Sequence, residues 1–135
     1  MRQRVDIADT DLGAVVYYGR YVHYVDRAVV EYRRHLGIPP LGPPGHLFVV
    51  RNLSVSYQAS ARFDDLVEVF VRTSQIGRTS HTHEARIERA MPAGEGVLLA
   101  EIQLTVVGIT SYEAGRPSRI PETMRTALAD FEGLS

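Results

Sequence analysis

The feature that most constrains the fold is a single change of hydrophobic period, which falls at the stretch "GIPPLGPPG", residues 37–45. Ahead of it, Tyr18, Tyr21, Val22, Val25, Ala28, Val29, Tyr32 and Leu36 recur mostly three and four residues apart, as on one face of a helix. Arg20, His23, Arg27, Glu31 and Arg34 fall mainly on the other face. Gly37 can adopt the left-handed conformation that closes a helix, and Pro39-Pro40 prevents a restart. Beyond that stretch the period is two. "LFVVRNLSVSY" sets Leu47, Val49, Leu53, Val55 and Tyr57 against Asn52, Ser54 and Ser56. "LVEVFVRTS" sets Val67, Val69 and Val71 against Glu68, Phe70 and Arg72. "SHTHEARIER" sets His81, His83, Ala85 and Ile87 against Thr82, Glu84, Arg86 and Glu88. "VLLAEIQLTVVGI" reads as a last long strand, while Asp64-Asp65, Gly77-Arg78 and "PAGEG" mark reversals. Residues 2–8 read as a short first strand, and a short C-terminal helix is expected after Pro121.

One amphipathic helix among about five strands has one economical solution: an α+β fold whose curved antiparallel sheet wraps the helix and buries it. The proline-rich stretch is then a stiff connector, and residues 1–135 form a single domain. Open sheet edges are usually covered, and joining two sheets edge to edge would cover them. A homodimer is therefore expected.

Composition removes several function classes. A net charge of -1 gives no electrostatic reason to expect nucleic acid. With no cysteine, disulfides, thiolate metal sites and a cysteine nucleophile are excluded. No apolar run approaches membrane-spanning length and "MRQRVDIADTD" has no apolar signal core, so no membrane partner and a cytoplasmic location are expected. All 15 basic residues are Arg, which rules out a Schiff-base lysine. The Arg fork suits phosphate, although a GC-rich genome would produce the same bias. There is no G-x-S-x-G, P-loop or dinucleotide fingerprint, so a serine hydrolase or nucleotide enzyme is unsupported.

The chemistry concentrates in "DTDLGAVVYYGRY", residues 9–21. Two readings of Asp11 stand: it caps the helix, or it holds a carboxylate beside the positive end of the helix. Asp9 reads as a turn-stabilising residue. His81-x-His83 puts both imidazoles on one strand face, a spacing metal sites use. No third ligand is evident nearby, so no metal is expected, and two core-lining or substrate-contacting histidines is the preferred reading.

"DTDLGAVVYYGRYVHYVDRA", "LGIPP", "ARFDDLVEV", "GRTSHTHEARI" and "GRPSRIPE" together resemble the hotdog-fold acyl-CoA thioesterases of the 4-hydroxybenzoyl-CoA thioesterase family, from about residue 4 to residue 125. The most specific part is the family's approximate D-x-D-x-x-G-x-V-[YFW]-[HY]-x-x-Y, matched by Asp9, Asp11, Val16, Tyr17, Tyr18 and Tyr21. The usual glycine falls at Ala14, with Gly13 one position earlier. Tyr18 stands where many relatives carry His and the hydroxybenzoyl branch carries Tyr.

The resemblance implies a thioester hydrolase without metal or redox cofactor, with acyl-CoA as substrate and coenzyme A as product. It implies that Asp11 is nucleophile or general base, and that the backbone N–H of Tyr18, at the helix start, is the oxyanion donor. Val16, Tyr17 and Tyr21 would line the substrate, Asp26 would orient the site, and Arg78, Thr79 and Ser80 would meet the coenzyme A phosphates, with Arg116 and Arg119 as further candidates. Two rivals remain: a thioesterase for acyl groups on a carrier protein, and a non-catalytic acyl-thioester binding module of the same fold.

Overall fold

Gly37 ends the central helix through its own backbone. Its φ is +75°, and the N–H groups of Gly37 and Ile38 donate to the carbonyls of Arg34 (3.1 Å) and Arg33 (2.9 Å). That pair of bonds is a Schellman closure. The computed structural model describes residues 1–12, 14–91, 96–110 and 115–134. The helix, α1, spans Arg20–His35. It buries Tyr21, Val25, Ala28, Val29 and Tyr32 as the periodicity predicts, and Tyr24 in addition. Helical hydrogen bonding starts later than predicted. Tyr18 and Gly19 form a turn closed by the Arg20 N–H on the Tyr17 carbonyl at 2.9 Å, and Tyr18 is 65% exposed.

The first strand is shorter than predicted. Strand β1 covers only Arg2–Arg4, and Ile7–Asp9 form a 3-10 turn. Asp6 accepts the Ala8 N–H at 3.1 Å, and the Asp9 carboxylate accepts the Asp6 N–H at 3.0 Å. This reciprocal capping box offers the backbone local partners in place of a sheet ladder. A two-stranded ribbon follows, β2 (Thr10–Asp11) and β3 (Val15–Val16), with Thr10 opposite Val16 and Asp11 opposite Val15. The remaining strands are β4 (Leu47–Tyr57), β5 (Leu66–Ile76), β6 (Ser80–Met91) and β7 (Val97–Ile109), and α2 is Glu122–Glu132. One five-stranded antiparallel sheet has the order β1-β5-β6-β7-β4, so the α+β hotdog expectation holds. Most of the "PAGEG" reversal and the Gly13 position lie outside the described residues.

Contacts group the chain into two compact units. The first comprises Met1–Val29, Val55–Val71 and Ala85–Ile102. In its core Val25, Ala28 and Val29 of α1 pack with Val67 and Val69 of β5, Ile87 of β6 and Leu99 of β7. The two periodicities meet there, and each fully buried aliphatic side chain of this kind contributes about 1.5–3 kcal/mol.

The second unit comprises Val30–Ser54, Arg72–Glu84 and Gln103–Ser135. Here the predicted inward histidines are buried, His81 and His83 each at 1% exposure. They belong to a series of edge-to-face rings: His46–Phe48 at 4.9 Å, Phe48–His81 at 5.3 Å, His81–His83 at 4.9 Å and His83–Tyr32 at 5.8 Å. Gly108 makes room for the first ring, since a Cβ there would stand 2.2 Å from His46 Nε2. Among the described residues no three metal-ligating side chains come together.

Burial pushes the His81 pKa down to about 3 and the His83 pKa down to about 4. An unfolded imidazole titrates near 6.5, so below that pH the unfolded chain binds protons that the native one refuses. Stability is therefore full above about pH 6.5 and falls as pH drops toward 4. Thermal unfolding at pH 5.5 should come earlier than at pH 7.5, each buried imidazole costing about 1 kcal/mol. His81→Phe should flatten that dependence. Equal melting temperatures at the two pH values would contradict the neutral, buried state.

The strand after the connector departs from its predicted alternation. From Val50 to Ser54 β4 is exposed on both faces, because it is the last strand of the sheet. The opposite border is closed differently. β1 pairs with β5 only from Leu66 to Glu68; farther along, the Thr73 N–H donates to the Glu132 carboxylate of α2 at 2.6 Å, which also accepts the Tyr32 hydroxyl at 2.7 Å.

Candidate active site

Asp9 organises the approach to the site. It is buried at 8% exposure, and its carboxylate accepts the Tyr24 hydroxyl at 2.8 Å besides the Asp6 N–H. Arg20 Nε lies 3.4 Å from its other oxygen. Its carbonyl accepts the Tyr17 N–H at 2.9 Å. The turn-stabilising role predicted for Asp9 is present, and Tyr24 and Arg20 extend it.

From Asp9 the chain enters the ribbon that carries Asp11. Leu12, fully exposed, forms its tip at φ +56°, and the Ala14 N–H returns to the Asp11 carbonyl at 3.2 Å. The Val16 N–H donates to the Ala61 carbonyl at 2.9 Å and the Phe63 N–H to the Ala14 carbonyl at 3.3 Å. These bonds hold β3 against the connection between β4 and β5. The Asp11 side chain is exposed. Among the described residues its carboxylate takes no hydrogen bond or ion pair, and α1 does not begin until Arg20. The capping reading of Asp11 therefore drops out.

A cavity of about 350 Å³ opens in this unit, lined by Val16, Tyr18 and Tyr21 together with Tyr57 and residues 58–60. The Tyr57 hydroxyl donates to the Tyr18 carbonyl at 2.8 Å. Tyr21 stands edge-on to Tyr57 at 5.5 Å, and its hydroxyl oxygen accepts the Ala61 N–H at 2.9 Å. Burial raises the Tyr21 phenol pKa, so the wall stays neutral there. Arg89 braces the same segment, donating to the Ser60 carbonyl at 2.7 Å and standing 3.2 Å from Asp65. Among the described residues the Tyr18 N–H donates to nothing. Such an N–H, directly ahead of a helix start, is available to an anion.

The predicted residues thus divide. Val16, Tyr18 and Tyr21 meet around one cavity; Tyr17, ring to ring with Tyr18 at 4.5 Å, stands beside them. Asp26 lies on the exposed face of α1 and is not among the described cavity residues. Arg78, Thr79 and Ser80 belong to the second unit, the first two on the turn from β5 to β6 and Ser80 at the start of β6. The Arg78 carbonyl accepts the Ile120 N–H at 3.0 Å and the Thr79 carbonyl the Gly108 N–H at 2.8 Å. Arg116 and Arg119 are exposed. Sequence reasoning assigns no site role to Tyr57, Ser60 or Tyr24; Tyr57 closes the alternation of β4 and Tyr24 lies within the stretch 9–28, but neither carries a chemical signal of its own, and the Asp6-x-x-Asp9 spacing is the one local signal for the buried turn.

The sequence profile of the thioesterase superfamily matches residues 13–94. The chain is 34% identical to the acyl-CoA thioester hydrolase YbgC of Escherichia coli O6:H1, over 96% of this chain and 92% of that protein. The 4-hydroxybenzoyl-CoA thioesterase of Pseudomonas is more distant, 22% identical over 90% of both chains. A solved Thermus thermophilus protein, the hypothetical protein TT1821, superposes with a TM-score of 0.84 at 32% identity, covering 96% of each chain. With the hotdog sheet and central helix already in place, this chain belongs to the thioesterase superfamily and is a thioester hydrolase.

Proposed function

We propose that this protein, acting as one hotdog domain over residues 1–135, hydrolyses acyl-CoA thioesters to a free acid and coenzyme A in the cytoplasm. The observation that carries the reading is the pairing of β2 with β3: Asp11, whose carboxylate takes no bond among the described residues, sits opposite the strand whose Val16 lines the Tyr18 cavity. The thioester carbonyl oxygen would accept the Tyr18 N–H, which stabilises the negative charge that develops as the carbonyl carbon becomes tetrahedral. Asp11 would take a proton from water as the hydroxide adds, and the coenzyme A thiolate would leave and be protonated. In the other form of the reaction the carboxylate itself adds, expels the thiolate, and leaves a mixed anhydride that water cleaves. Neither form needs a metal or redox cofactor. Tyr17 and Tyr21 would flank the acyl-thioester, and Asp26 would help orient the helix end. Arg78, Thr79 and Ser80, with exposed Arg116 and Arg119, would receive the coenzyme A phosphates. A non-catalytic binding module would tie up the carboxylate in backbone N–H bonds with no cavity alongside; the exposed Asp11 and the Tyr18 cavity favour the enzyme.

We further propose a homodimer or homotetramer built on β4. This long border strand leaves Val50 and Leu53 exposed and, among the described residues, pairs on one side only, leaving the kind of edge proteins cover. One experiment tests substrate and assembly together. Thiol release should be followed over short-chain, long-chain and aryl coenzyme A esters and carrier-protein thioesters, with the mass of the same sample measured by light scattering. Turnover of coenzyme A esters by an even-numbered oligomer is expected. Activity confined to carrier-protein thioesters would move the substrate, and a fully active monomer would remove the assembly.

A further inference from the structure

The mechanism above uses the second carboxylate of the D-x-D pair and leaves the first unassigned, although the first is the one enclosed by bonds. The Asp9 Oδ2 accepts both the Tyr24 hydroxyl at 2.8 Å and the Asp6 N–H at 3.0 Å. Arg20, whose Nε lies 3.4 Å from Oδ1, also donates to the Ala8 carbonyl at 3.2 Å. The first two turns of α1 therefore grip the 3-10 turn from which Asp11 departs. At the same residue, the Asp9 carbonyl accepts the Tyr17 N–H, which fixes the strand leading to Tyr18. Both halves of the proposed reaction hang from one buried residue: the carboxylate two positions after it, and the N–H one position after Tyr17. A buried carboxylate with several charge-assisted partners cannot shift without losing them, so it makes a stiff anchor.

We infer that Asp9, held by Tyr24 and Arg20, is a positioning residue that sets the Asp11 carboxylate against the Tyr18 N–H; this rests on the catalytic reading of Asp11. Capping of the turn alone would need only Asp6 and Asp9. The Tyr24 hydroxyl adds nothing to that cap, and its bond links the turn to the helix behind the oxyanion donor. Misplacement on the ångström scale costs up to about a hundredfold in rate.

Tyr24→Phe tests this, because it keeps the buried ring and deletes only the hydroxyl. The expected result is a kcat lowered about tenfold or more, with KM within about twofold, measured well below the melting temperature. Asp9→Ala should lose at least as much. Asp9→Asn keeps an oxygen able to accept both the Tyr24 and Asp6 donors and should be the mildest of the three. The deciding comparison is made on Asp11→Asn, where adding Tyr24→Phe should lower the residual rate by a clearly smaller factor than it lowers the wild-type rate. A folded Tyr24→Phe protein with unchanged kcat overturns the inference, as does a loss that simply multiplies that of Asp11→Asn. Should Asp9→Ala fail to fold, Tyr24→Phe still decides. Failure of the underlying reading looks different: Asp11→Asn would itself turn over at the wild-type rate.

Discussion

Asp11→Asn should lower turnover by at least about a hundredfold while the melting curve stays where it is, because a positioned base or nucleophile is worth ~10²–10⁴ in rate. The two halves of that statement have separate physical grounds. The rate falls because an amide matches the carboxylate in shape but neither takes a proton from water nor adds to a carbonyl as an anion. The fold survives because the Asp11 side chain is exposed and, among the described residues, gives no bond to lose. A helix cap would behave otherwise: Asn caps about as well as Asp, but truncation of a cap by Asp11→Ala would cost about 1 kcal/mol and show in the melt. α1 starts at Arg20, so no such loss is expected. Turnover and circular dichroism measured on the same sample separate the cases. A variant with near wild-type turnover would end the catalytic role of Asp11, whatever its melting temperature.

What could be read in advance from the residues follows the range of the forces involved. The closure of α1 was legible because Gly37 and the prolines act within a few residues, and the Gly37 φ of +75° is a local consequence. Strand alternation was legible in β5 and β6 because one face of each meets a core: Val67, Val69, Ala85 and Ile87 are all buried. The same alternation in β4 does not translate into burial, since a border strand has a sheet neighbour on one side only. Residues 2–8 read as one strand, but only Arg2–Arg4 pair in the sheet, because the Asp6 and Asp9 side chains bond the backbone locally and turn it at Ile7–Asp9. Tyr24 is absent from the helix stripe read from the sequence; the partner that lets its phenol be buried, Asp9, comes from another part of the chain.

The candidate site divides along the same line. The motif in residues 9–21 supplied Val16, Tyr18 and Tyr21, which the fold gathers around one cavity. The opposite wall is Tyr57, the last residue of β4, whose alternation gives no hint of a site, and the Gln58–Ser60 segment, which enters through the turn between β4 and β5. That wall does more than fill space. Tyr57 bonds the Tyr18 carbonyl at 2.8 Å, so it steadies the turn from which the proposed oxyanion donor projects.

Tyr18 offers the sharpest separation of backbone from side chain, because its proposed role belongs to the N–H alone. Tyr18→Pro should fold. The residue lies outside α1, at the second position of the turn closed by Arg20 N–H on the Tyr17 carbonyl, where proline's fixed φ is favoured. The Tyr18 N–H makes no bond among the described residues, so deleting it removes nothing from the turn; the carbonyl that Tyr57 bonds is retained. The residue before a proline is pushed toward extended backbone, and Tyr17 continues directly from β3. Loss of an oxyanion donor costs ~10²–10³ in turnover, about 3–4 kcal/mol. Tyr18→Phe keeps the N–H and the ring, which is 65% exposed, and should stay within about tenfold of wild type, the range of a lost peripheral contact. The expected order is therefore Phe mild and Pro severe, with both proteins melting near the wild type. A Phe variant as damaged as the Pro variant would make the phenol the working group and would take the oxyanion role away from the Tyr18 backbone.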